Sequence, residues 1–109
     1  MKDEPRDTPF LVGPGTSYIV KEPLGVIAIL GAWNYPLTTT LSPLISAIAA
    51  GNVAVMKPSE FAPQCTVIFK RLFARYLDSS AFQCLNGQVE VGKKLSSSKV
   101  DLIIFTGST

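Results

Sequence analysis

The spacing of apolar residues changes several times along the chain, and each change marks an element. From Gly25 to Trp33 the run GVIAILGAW is continuously apolar over a strand's length, the pattern expected where helices cover both faces of a sheet. Upstream, SYIVKEPLG can pair as an edge strand as far as Pro23. Residues 38–50 are small and apolar, which suits a tightly packed helix. Pro43 is tolerable there only near a first helical turn, and Gly51-Asn52 supplies a left-handed stop. VAVM follows as a second short buried strand. Another helix starts at Ser59 or at the Ala62-Pro63 pair. Its Cys65, Ile68, Phe69, Leu72, Phe73 and Tyr76 recur at the spacing of one helical face, while Lys70, Arg71 and Arg75 fall on the other. AFQCL reads as a third strand ended by Asn86-Gly87, QVEVGKKLSS as a short polar helix weakened by Gly92, and DLIIF as a fourth strand before TGST.

Strands that alternate with helices of about ten or more residues predict an α/β fold, a parallel, Rossmann-like, doubly wound sheet with right-handed crossovers. Residues 1–17, which hold Pro5, Pro9, Gly13, Pro14 and Gly15, read as an extended arm or linker, and residues 18–109 as part of one α/β domain. Ligands of such sheets gather at the carboxyl ends of the strands. Trp33-Asn34 follows the first core strand, Lys57-Pro58-Ser59-Glu60 the second and Thr106-Gly107-Ser108-Thr109 the fourth. Right-handed connectivity brings all three to one edge, where they can face a single ligand.

Composition narrows the chemistry. The 109 residues are 47% hydrophobic with a net charge of +2, as in one globular domain or a piece of a larger one. Lys and Arg are scattered, so there is no basic stripe for a nucleic-acid partner. No run of 18 apolar residues occurs, and the charged, Pro-rich Met1 end lacks a signal-peptide core, which predicts a cytosol-like location. The two cysteines, Cys65 and Cys84, have no metal-ligand spacing and read as small buried hydrophobes. With no histidine, the chain alone assembles neither a Ser-His-Asp nor a Cys-His unit, nor a His-ligated metal site.

Three stretches, EPLGVIAILGAWNYPL, AIAAGNVAVMKPSE and IIFTGST, resemble consecutive motifs of the aldehyde dehydrogenase superfamily. The WNYP and KPSE versions are most similar to the class 3, fatty-aldehyde type, and the resemblance runs from about Tyr18 to Thr109. It implies attack of a cysteine thiolate on an aldehyde, hydride transfer to NAD or NADP, and release of the acid by water. By the same resemblance, Asn34 donates its amide to the oxygen that becomes negative, and Lys57 and Glu60 grip the ribose hydroxyls of the cofactor. Trp33 shapes the pocket wall, Thr106 lies toward the nicotinamide, and Gly107 and Ser108 approach the pyrophosphate. Residues 18–109 then form part of an NAD(P)-binding domain.

The residues by themselves leave other readings open. Asn34 can cap a helix or make a local turn bond, Lys57 and Glu60 can form a surface ion pair at a helix start, Trp33 can be core, and TGST is a common turn. The family's nucleophilic cysteine and general-base glutamate have no match here, so the resemblance implies a fragment. Its full-length form would be a family-type homodimer, and any membrane association would come from a C-terminal tail beyond these residues. Glu60 disfavours a 2′-phosphate by like charge, which leans toward NAD. The competing expectation is a non-catalytic nucleotide-binding or interaction module.

Overall fold

A computed structural model describes residues 2–108 of the protein. The elements run β1 (Glu4–Arg6), β2 (Ser17–Ile19), β3 (Val26–Leu30), α1 (Pro36–Ala49), β4 (Val53–Lys57), α2 (Pro63–Tyr76), β5 (Phe82–Cys84), α3 (Val89–Ser96) and β6 (Leu102–Phe105). Four of the strands form one sheet in the order β5-β4-β3-β6, and every pairing in it is parallel. The winding moves outward from β3 to β5 and then returns past β3 to β6. The topological switch point therefore lies between β3 and β6.

The apolar runs become strands because both faces of the sheet carry helices. Ile27 and Ile29 of β3, Ala54 and Met56 of β4 and Cys84 of β5 pack with Leu44 and Ala47 of α1 and with Phe69 and Phe73 of α2. Phe69, at 1% exposure, contributes about 1.5–3 kcal/mol by burial alone. Side chains alternate along a strand, so Lys57 points away from the face that Met56 occupies. On that other face its stem lies beside α3: a Cβ added at Gly92 would stand 3.6 Å from Lys57 Cδ. At the amino end of β3, two side chains hold the backbone. The Gly25 N–H donates to Asn52 Oδ1 at 2.9 Å, and the Val26 N–H to Asp101 Oδ2 at 2.7 Å.

Several expectations need correction. Helix α1 begins at Pro36, which puts Pro43 in its middle and not in a first turn. The helix continues because Leu44 and Ala47, beyond the proline, are buried against the sheet, and packing outweighs a local cost of about 3 kcal/mol. Gly51 does stop it, at φ +75°. Helix α2 buries less of its apolar face than the spacing predicts. It lies over the edge strand β5, so the row Cys65, Phe69 and Phe73 reaches the sheet while Ile68, Leu72 and Tyr76 stay exposed. SYIVKEPLG does not join the main sheet. Its β2 pairs antiparallel with β1, so the segment expected as an extended arm carries a strand and a short 3-10 turn, Phe10–Val12. Lys21 pairs with Glu4 across this ribbon.

Candidate functional site

The register of the sheet decides where the three polar motifs meet. Leu30 pairs with Lys57 on one side and with Phe105 on the other, so three strands end at one level. The Gly31 N–H bonds to Lys57 O and the Thr106 N–H to Leu30 O, each at 3.0 Å, which carries the order one residue beyond the strands. Above that edge opens a cleft of about 870 Å³, a volume within the ordinary range of small-molecule sites. Trp33, Asn34, Lys57, Glu60, Thr106, Gly107 and Ser108, the residues singled out in the sequence, all line it.

The loop bearing Asn34 is pinned from below. A Cβ at Gly31 would come within 2.2 Å of Cγ2 of the fully buried Thr40, so only glycine lets the loop lie flush on α1. The Ala32 N–H donates to Thr39 Oγ1 at 3.1 Å, and that hydroxyl donates to Tyr35 O at 2.9 Å. Asn34 itself is exposed and forms no hydrogen bond with the described residues. The N-cap of α1 is Tyr35, and no side chain caps it. Neither the cap nor the local-turn reading of Asn34 is therefore realised. Trp33 is 65% exposed on the cleft wall, so it is no core residue.

Lys57 and Glu60 form a different kind of pair from the one their spacing suggests. Lys57 is 5% exposed, and its ammonium donates to Glu60 Oε2 at 2.8 Å and to Pro58 O at 3.2 Å. Glu60 precedes α2 by three residues, so the dipole of that helix is not what favours it. The hydrogen bond from Lys57, and then one from Glu60's own backbone, hold its carboxyl below the usual 4.5. It is an anion at neutral pH. An ammonium has three protons and two are committed, so one donor remains beside a carboxylate with free acceptor capacity.

Thr106, Gly107 and Ser108 are exposed at the mouth of the cleft, and Thr109 lies outside the described residues. The sequence reading missed the wall contributed by α3. Val89, Gly92, Lys93 and Ser96 line the cleft at helical spacing, a row hidden by the overall polarity of the segment. Neither cysteine lines it. Cys84 is buried under α2, and burial pushes its thiol up to about 11, with nearby Lys70 opposing the shift, which makes it a poor nucleophile. Among the described residues no cluster of His, Cys, Asp and Glu suits a metal ion, and no helix is long and apolar enough to cross a membrane.

Comparison with known proteins gives a consistent set of likenesses. The sequence model of the Aldehyde dehydrogenase family matches residues 5–109, reaching back from the motifs into β1. Aldehyde dehydrogenase family 3 member A2 of Rattus norvegicus is 46% identical over 93 residues, covering 85% of this chain and 19% of the rat protein. A substrate-bound state of Staphylococcus aureus AldH superposes with a TM-score of 0.93 at 40% identity, covering 98% of this chain and 23% of that one. Mycobacterium tuberculosis aldehyde dehydrogenase complexed with NAD+ superposes with a TM-score of 0.78 at 28% identity, over 93% of this chain and 20% of its own. The chain spans about one fifth of the length of these relatives.

Proposed function

The chain belongs to the aldehyde dehydrogenase family, and from that premise we propose that the full-length protein carrying it oxidises an aldehyde to its carboxylic acid with NAD or NADP. The observation that carries this reading is the meeting, in one cleft, of an uncommitted amide at Asn34 with the ion pair of buried Lys57 and half-buried Glu60. The donor set fits a dinucleotide. A free ammonium proton and a carboxylate stand side by side, as two neighbouring ribose hydroxyls require, and the carboxylate stays ionised. When bound, NAD or NADP supplies the hydride acceptor of the oxidation.

The chain's own residues then divide the work. Lys57 donates to one ribose hydroxyl while Glu60 accepts from the other. Gly107 leaves the backbone bare for the pyrophosphate, the Ser108 hydroxyl binds it, Thr106 lies toward the nicotinamide, and Trp33 closes the wall. Asn34 donates an amide proton to the aldehyde oxygen as negative charge develops there. Neither Cys65 nor Cys84 lines the cleft, so attack on the aldehyde falls to a thiolate outside these 109 residues. The isolated segment is accordingly expected to bind nucleotide without turnover. The carboxylate of Glu60 leans the site toward NAD, and a cytosol-like homodimer goes with this reading.

The test uses the full-length protein and follows NADH formation with an aliphatic aldehyde. Lys57→Met and Glu60→Gln should each raise the KM for NAD about tenfold and change kcat little, because each contact exists in ground and transition states alike. Absence of aldehyde-dependent NADH formation, or NAD binding unchanged in both variants, would overturn the assignment.

A further inference from the structure

We propose that Lys93 is a specificity-determining residue of the cleft, the cation that meets the 2′-phosphate of a phosphorylated dinucleotide. The proposal rests on the reading of the cleft as a dinucleotide site. Lys57, Glu60 and Lys93 are the titratable side chains lining it among the described residues, two cations to one anion. The first two neutralise each other at 2.8 Å, and Lys57 is buried. Lys93 is committed to far less. Its partner is Glu90, one turn back on α3 at 3.3 Å, with both side chains mostly in solvent at 70% and 83% exposure. An exposed pair of that kind holds its geometry weakly, so a phosphate can replace the carboxylate.

Position supports the same role. Lys93 lines the same cleft as Lys57 and Glu60 and follows Gly92, the residue against which the stem of Lys57 lies, so α3 adds a second cation to the wall of that cleft. Glu60 alone would repel a phosphate on the 2′-hydroxyl. With its charge countered by Lys57, the cation held only by an exposed, exchangeable pair decides the balance, and it gives the 2′-phosphate a charge-assisted partner.

The experiment measures Kd for NAD and NADP by calorimetry on the full-length protein. Lys93→Gln should weaken NADP about five- to tenfold and leave NAD within about twofold, while Lys93→Arg keeps both near wild type. Glu90→Gln removes the competing carboxylate and should tighten NADP about twofold, a gain that a structural role for Lys93 does not produce. Equal losses for both dinucleotides in Lys93→Gln would overturn the proposal in favour of the pyrophosphate or the fold. NADP affinity unchanged in that variant, or no NADP binding by the wild type, would also overturn it while leaving the dinucleotide reading intact. Wild-type protein that binds neither dinucleotide would remove the reading of the cleft itself.

Discussion

Replacing Asn34 with alanine in the full-length protein separates chemistry from structure, because the side chain does nothing for the fold. It is exposed, makes no hydrogen bond with the described residues, and leaves the N-cap of α1 to Tyr35. Truncation therefore removes neither buried area nor a hydrogen bond, and stability should change by less than about 0.5 kcal/mol. The rate should respond differently. A side-chain donor aimed at a developing oxyanion contributes roughly 2.7–4 kcal/mol in a closed site, and the solvent access of Asn34 argues for the lower end, about a hundredfold in kcat. Since that charge exists only after the nucleophile adds, the Kd for NAD should stay at the wild-type value. Asn34→Asp should be at least as harmful, since it sets a carboxylate against the oxyanion. The assay is steady-state NADH formation beside a thermal melt and an NAD titration on each variant. A fall in Tm of several degrees with kcat unchanged would make Asn34 a structural residue and refute the oxyanion role, as would a kcat and Tm both at wild type.

Two further outcomes follow from packing. Gly31→Ala drives a methyl into Thr40 Cγ2, 2.2 Å from the added Cβ, and should destabilise by about 1–3 kcal/mol in urea unfolding. Thr40→Ser in the same chain removes that methyl and should recover part of the loss, and a strictly additive double mutant would refute the clash. Cys84 is raised to about 11 in the fold against an ordinary 9.0, so the folded state holds its proton while the unfolded chain releases it. Stability is therefore expected to fall by roughly 2–3 kcal/mol as pH rises from about 9 to about 11, and Cys84→Ala should remove that part of the slope and leave aldehyde turnover unchanged. A wild-type slope retained in the variant would assign the effect elsewhere.

The core strands were legible because a strand buried on both faces needs a continuous apolar run, and GVIAILGAW and VAVM provide little else. The helix stop at Gly51 was legible for an equally local reason, its φ of +75°. Features that depend on a partner distant in sequence were harder to read. A proline costs the same in any helix interior, so the sequence argues against Pro43 there, and only the burial of Leu44 and Ala47 on the sheet reverses the sign. The apolar residues of α2 have a regular helical spacing, yet how many are covered depends on α2 lying over an edge strand. The pairing of β1 with β2 joins two three-residue segments too short for any period to show.

The candidate site divides along the same line. Sequence by itself named the candidate residues, because the family motifs single out Asn34, Lys57 and Glu60, whose spacing alone also allows a helix cap or a surface ion pair. It also determined that they share an edge, since right-handed crossovers leave only one carboxyl side. Tertiary structure alone decided their state. Burial of Lys57 and its 2.8 Å contact with half-buried Glu60 turn a surface pair into a committed one, because the energy of a charge depends on its surroundings and not on its neighbours in the chain. Likewise, only the docking of α3 beside Lys57 brings Lys93 to the cleft. Packing of that kind is set by the shape of both surfaces at once, and a linear pattern records just one of them.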